Sequence, residues 1–334
     1  MIAAALLLAL LVGLALWRLT DHDLDRRSST PFVFQNVGTQ LSGTLWTPDI
    51  PVQAIVALVH GDGPQDRTSA GGYAPFINSL LDHGISVAAW DKPGIGASDG
   101  NWLHQSMADR AAETRAALDA LAQRFDGLPI GALGFSQAGW VLPRLTSDDA
   151  DFLVLLGPAV SWQQQGDYFT RTRLVGEGLD DAAIVAALAE ETRADENLFG
   201  PGAEHREPPE GLTPDRFRFI RTNRVEDASA ALSQLDLPLM AIWGAADLNV
   251  DAAHDAAIYR DLAGDAHPDN VISLWPDATH SLLRAGPYNW QLPDQWPWHA
   301  QLRFLIEGRH AFAPGALDAI TTWILDRRPL DAAP

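Results

Sequence analysis

The stretch Pro129-Ile130-Gly131-Ala132-Leu133-Gly134-Phe135-Ser136-Gln137-Ala138-Gly139-Trp140 constrains this chain more than any other. An apolar run leads to a serine among small residues and continues into a helix-like segment, so it reads as strand, sharp turn, helix. That order describes an elbow whose strained backbone pushes one side chain out beyond a sheet, where its oxygen can act as a nucleophile. Gly134, Ala138 and Gly139 leave the space such a turn needs. The usual pattern is G-x-S-x-G; here Ala138 stands at the last glycine and is small enough to keep the turn.

Gly96-Ala97-Ser98-Asp99-Gly100 matches G-x-S-x-G letter for letter, yet its context is wrong. The strand Ser86–Trp90 has already ended at Asp91-Lys92-Pro93-Gly94, and no helix opens directly after Ser98. Three glycines, Gly94, Gly96 and Gly100, mark an irregular loop. Ser136 is therefore the candidate nucleophile.

Around the elbow, strand and helix patterns alternate. Phe32-Val33-Phe34 and Leu41–Trp46, separated by a turn near Asn36-Val37-Gly38, predict an antiparallel hairpin. Ala54–Val59, Ser86–Trp90, Phe152–Leu156, Leu237–Trp243 and Val271–Trp275 are short apolar runs of the kind a strand covered on both faces requires. Tyr73–His83, Met107–Phe125, Ala253–Leu262 and Ala316–Leu325 have helical spacing. The fold class expected is α/β: a mainly parallel, doubly wound sheet preceded by the hairpin. Between residues 161 and 235 the rhythm is lost. Helical pieces (Asp180–Arg193, Thr213–Thr222, Asp227–Leu235) surround a Gly/Pro-rich stretch, and an insertion between two strands is expected to sit over the sheet's carboxyl edge as a helical lid.

At 334 residues the chain is long enough for a full core. Its net charge of −20 argues against nucleic acid, whose phosphates require a basic face. The absence of cysteine excludes disulfides, thiolate nucleophiles and iron–sulfur clusters. Ile2–Trp17 is a continuous apolar run followed by Arg18, Arg26 and Arg27. No Lys or Arg precedes it, and Gly13-Leu14-Ala15 is the only passable cleavage site, which favours an uncleaved membrane anchor over an exported signal peptide or a buried helix. The division expected is residues 1–28 as an anchor or signal segment and residues 29–334 as the folded domain, with 161–235 as its lid. The side of the membrane is left open, three arginines being a small sample for the positive-inside tendency.

A serine hydroxyl needs a base, and the base needs an orienting acid. Asp247 follows the strand ending at Trp243, whereas its competitor Asp251 stands where a helix N-cap belongs. His280 follows the strand Val271–Trp275. Ser136, Asp247 and His280 thus appear in the order this architecture demands, each just past a strand's carboxyl end. The developing oxyanion needs two donors. The backbone N–H of Gln137 is one; the other is the N–H of Asp62, with Gly63 as alternative, in the turn after His60-Gly61.

In these features the chain resembles the α/β-hydrolase superfamily, and within it bacterial serine esterase/lipase-like hydrolases with an H-G-x-G-P-x-D-R turn, here His60–Arg67. Asp91–Ser98 looks like the family's D-x-x-G-x-G-x-S loop, which is structural. The resemblance spans roughly Phe32 to Leu325 and is weak over the lid. It implies hydrolysis of carboxylic esters or related small acyl compounds with no cofactor and no metal. Ala138 and the acidic Asp62 depart from the family's pattern; the Asp62 carboxylate would repel an anionic intermediate if it turned inward.

Aromatics and prolines crowd residues 287–299 beside His280. Trp290, Trp296 and Trp298 are candidate walls of an acyl or aryl pocket; the alternative is that they anchor a long loop. The function expected is a serine hydrolase forming an acyl-enzyme on a carboxylic ester. Thioester or amide cleavage on the same triad is the alternative, and a noncatalytic membrane-tethered binding protein is the reading from another class.

Overall fold

The computed structural model describes residue 13, residues 17–203 and residues 206–329. Its centre is an eight-stranded sheet of order β1-β2-β4-β3-β5-β6-β7-β8. The strands are β1 (Ser28–Asn36), β2 (Thr39–Thr47), β3 (Ala54–Val59), β4 (Ile85–Trp90), β5 (Ile130–Phe135), β6 (Phe152–Leu156), β7 (Leu239–Gly244) and β8 (Val271–Trp275). β1 pairs antiparallel with β2, and β2 with β4; every other pairing is parallel. The hairpin and the parallel runs are those expected from the sequence.

Successive residues of a strand face opposite sides of its sheet, so a strand covered on both faces must be apolar throughout. In β3, Ile55, Ala57 and Val59 enter one core while Ala54, Val56 and Leu58 enter the other. Helices α1 (Ala74–Asp82), α2 (Met107–Ala122), α3 (Trp162–Gly176), α4 (Asp181–Phe199), α5 (Pro214–Asn223), α6 (Ala252–Ala263), α7 (Trp298–Glu307) and α8 (Ala316–Leu325) complete the main architecture. α2 and α6 cover the first core, and α1 and α8 the second. A Ser106–Asp109 capping box starts α2, an arrangement that contributes about 1 kcal/mol.

Two helices were not foreseen. α3 opens the insertion, and α7 follows the aromatic segment. The insertion runs from β6 to β7 and touches loops at the sheet's carboxyl edge: Tyr168 Oη donates to the Asp247 carbonyl at 2.8 Å, and Gln165 Nε2 to the Asn249 carbonyl at 3.0 Å. From α5, Asp215 accepts from Asn101 Nδ2 at 3.0 Å and meets His104 Nε2 at 2.9 Å.

The apolar run Ile2–Trp17 lies outside the described residues except for Gly13 and Trp17. Among the described residues, no helix is long and apolar enough to cross a membrane. The charged segment that follows docks on the domain. Buried Arg27 donates to Asn78 at 2.7 Å and pairs with Asp82, and buried Asp21 accepts from Arg309 Nε at 2.8 Å.

Candidate active site

β5 delivers Ser136 at the sheet's carboxyl edge with φ = +49°, a left-handed conformation that costs a non-glycine residue on the order of 1–3 kcal/mol. The neighbours explain how the turn fits. A Cβ added at Gly134 would lie 2.4 Å from the Ala138 methyl, and one at Gly139 would lie 2.6 Å from Pro158 Cβ. Ala138 is tolerated because its methyl occupies the space that glycine at 134 leaves empty. Instead of one continuous helix, the elbow opens two 3-10 turns, Ser136–Trp140 and Leu142–Arg144. Pro143 lacks the amide hydrogen that an α-helix would need there.

Asp247 lies just beyond β7 with its side chain fully buried. One carboxylate oxygen accepts from the amides of Asn249 and Val250 at 2.7 and 3.0 Å, and the other meets His280 Nδ1 at 2.7 Å. A carboxylate only accepts, so Nδ1 carries the hydrogen and Nε2 of the neutral ring is left as an acceptor. Burial lowers the His280 pKa, but the charge and hydrogen bond of Asp247 outweigh it and leave the pKa above the ordinary histidine value. Asp251 does not join this pair; it caps α6 by accepting from the His254 amide at 3.1 Å.

Glycines that the sequence reading passed over make the seat for the imidazole. Gly157 has φ = +60°, and a Cβ there would come within 3.0 Å of the His280 ring. A Cβ at Gly244 would lie 2.1 Å from the Thr279 carbonyl oxygen. No local pattern marks either position, because the clash is with a loop more than 30 residues away.

The turn after β3 runs directly beside the elbow: a Cβ at Gly61 would stand 3.4 Å from Ser136 Cβ. Among the described residues, the amides of Asp62 and Gly63 donate to no backbone acceptor. The Asp62 side chain is engaged, accepting from Gln137 Nε2 at 2.9 Å and lying 3.5 Å from Arg216 on α5. Burial raises its pKa, but Arg216, Lys92 and hydrogen bonds from Gly63 and Gln137 leave it below the usual carboxylate range. Its charge is therefore tied back toward cations. Beneath the turn lie two further residues missed from the sequence, Lys92 and Arg110, both buried.

Ser98 stands apart. It is 7 % exposed, its Oγ accepting from the Ser42 amide at 3.0 Å and donating to the Asp91 carbonyl at 2.7 Å. Asp91 in turn binds Arg67 Nε at 3.0 Å and Nη2 at 2.6 Å, so the conspicuous aspartate and arginine of these two loops hold them to one another.

Ser136 and His280 line one cavity of about 340 Å³, together with Asp62, Asn249, Trp290 and Trp296. An apolar chamber of about 320 Å³ shares several of these walls and adds Phe76, Phe304 and Phe312 to Tyr73, Phe135 and Trp296. Trp298 must be removed from the expected pocket: it is 74 % exposed and lines neither space. It begins α7, and Phe304, six positions and about 240° further round the helix, is the side chain that turns inward. Phe304 meets Trp296 edge-on at 6.0 Å.

Residues 50–194 match the family model described as serine aminopeptidase, S33. No curated protein matches the sequence. Among solved structures, the chain is similar to an esterase of Pyrococcus furiosus (TM-score 0.55, 17% identity, covering 84% of this chain and 91% of that one). It is also similar to a carboxyl esterase of Bacillus coagulans (TM-score 0.56, 15% identity, 89% and 99%) and to an acylaminoacyl peptidase of Pyrococcus horikoshii (TM-score 0.53, 12% identity, 91% and 42%).

Proposed function

We propose that this chain belongs to the α/β-hydrolase superfamily and is a serine hydrolase cleaving carboxylic esters through an acyl-enzyme, a reading supported by its fold and by the family model matched over residues 50–194. The observation that carries the reading is the strained Ser136 sharing one cavity with a histidine whose Nδ1 is held by a buried carboxylate. Ser136 Oγ attacks the acyl carbon and its proton passes to His280 Nε2. The oxyanion is held by the amides of Asp62 and Gln137. The alcohol leaves with the proton from His280, and water then repeats the sequence to release the acid. The insertion serves as a lid over this edge.

The apolar chamber supports an apolar acyl group as the part of the substrate held before attack. Amide cleavage is the second reading, favoured by the description of the matching family model. The cavity argues against an aminopeptidase. Of its lining residues Asp62 is the one carboxylate, and it already accepts from Gln137 and faces Arg216, so an α-ammonium group would have to compete with both for it. Attachment to a membrane through Ile2–Trp17 belongs to the same proposal and rests on the sequence. Carbonate extraction with and without residues 1–27 tests it: release of the full-length chain would remove the anchor.

A series of p-nitrophenyl esters of increasing acyl length tests the substrate assignment. kcat/KM is expected to peak at a medium acyl chain. Trp296→Ala, which opens the chamber wall, should move that peak toward longer chains by about tenfold in relative kcat/KM, the value of one or two methylenes in an apolar pocket. Trp298→Ala should leave the profile unmoved. A profile indifferent to Trp296 would make this aromatic segment a loop anchor and nothing more.

A further inference from the structure

Lys92 is the sole lysine of the chain and is 2 % exposed; Arg110, on α2, is 5 % exposed. A buried cation is costly to desolvate, and an apolar residue would often serve the fold as well. The side-chain hydrogen bonds of both run to neutral oxygens around the site. Lys92 Nζ donates to the Gly61 carbonyl at 2.6 Å and to the Gly63 carbonyl at 2.9 Å. Arg110 donates to the His60 carbonyl at 2.7 Å and to Gln137 Oε1 at 2.5 Å. Gln137 Nε2 then reaches Asp62 across the gap between elbow and turn.

We propose that Lys92 and Arg110 are positioning residues for the two oxyanion donors: Lys92 aims and polarises the Asp62 amide through the Gly61–Asp62 peptide, and Arg110 holds the Gln137 side chain and with it the spacing of the two donors. The inference rests on the serine-hydrolase reading of the same site. The Gly61 carbonyl and the Asp62 amide are opposite ends of one planar group. A hydrogen bond at the oxygen therefore fixes the direction of the N–H and draws electron density away from it, which makes it a better donor. Arg110 acts on the other half. It pins the Gln137 side chain, which also anchors Asp62, so elbow and turn keep the spacing a tetrahedral oxyanion requires.

Burial pushes the Lys92 pKa well below the ordinary lysine range; nearby Arg110 adds to this, while Asp62 and Glu113 oppose it. The geometry survives either protonation state, because a neutral amine still offers two N–H groups for the two carbonyls.

The test compares Lys92→Met, which removes the donors but keeps an unbranched chain, with Lys92→Gln, which is shorter but keeps an N–H donor. kcat per titrated active site and KM are measured with p-nitrophenyl butyrate, alongside inhibition by an aryl boronic acid, whose tetrahedral adduct places an oxygen in the hole. For Lys92→Met, kcat per titrated site should fall about 100-fold with KM little changed. Boronate affinity should weaken by a similar factor, and Lys92→Gln should fall between this variant and the wild type. A merely structural lesion lowers the number of titratable sites and leaves kcat per site and boronate affinity alone. Values per site within about threefold of wild type, against the 100-fold expected of a lost donor, would overturn the inference. If Lys92→Met does not fold, Lys92→Gln is judged by the same two readouts. A wild-type protein that neither hydrolyses esters nor reacts with a fluorophosphonate would instead remove the parent reading.

Discussion

Ser136→Ala is expected to lower kcat by about 10⁴- to 10⁶-fold, the loss typical when a triad nucleophile is removed. The fold should persist, because alanine removes one oxygen from a side chain that projects into the cavity. Alanine should also remain at the elbow, since the positive φ is imposed by the surrounding packing of Gly134, Ala138 and Gly139. The control is Ser98→Ala, which loses one buried and one partly buried hydrogen bond and should cost about 1–3 kcal/mol in stability while keeping most of the activity. Steady-state rates on p-nitrophenyl butyrate and thermal melts separate the two effects. If Ser98→Ala were inactive but folded and Ser136→Ala active, the assignment of the nucleophile would be reversed.

Asp247→Asn should carry the next largest effect, about 10⁴-fold in kcat, because an amide in place of the carboxylate favours the wrong imidazole tautomer. The pH profile supplies an independent sign. In the wild type, Asp247 holds the His280 pKa above its ordinary value, and only neutral His280 can take the serine proton. Activity is therefore lost as pH falls through that raised pKa. In the variant the charge of Asp247 is gone while burial remains, so the residual activity should keep its acid limb at lower pH than the wild type. An acid limb that stays put would mean that another group governs it.

The sheet was legible because its strands are short, unbroken apolar runs and the hairpin alternates; both patterns follow directly from two faces buried or one. The meeting of Ser136, Asp247 and His280 at one edge was legible for a related reason: each follows a recognisable strand, and parallel strands bring their carboxyl ends together. α3 was not. Its sequence begins Trp162-Gln163-Gln164-Gln165-Gly166, and only Thr170 and Leu174 are buried, so the apolar stripe is too thin to announce a helix. Contacts made at a distance hold it, among them the Trp162 ring stacked 5.0 Å from Trp140.

Trp298 shows the opposite error. A cluster of tryptophans in one segment suggested a common wall, but a helix begins at Trp298 and sends that ring outward while Phe304 turns in. Lys92 and Arg110 illustrate a further limit. Each is one charged residue in a loop or helix, and only the approach of residues 60–63, 92, 110 and 137 in space gives them their setting. The letters of G-x-S-x-G at residues 96–100 could be set aside from the sequence, since the motif has meaning only where a strand ends and a turn can strain.

Incubation of the intact protein with a fluorophosphonate, followed by peptide mass spectrometry, addresses the assignment at its root. One phosphonyl group on the peptide that contains Ser136, absent from Ser136→Ala and strongly slowed in Asp247→Asn, is the outcome expected. Folded protein that stays unmodified, or that carries the group on Ser98 or another serine, would contradict it.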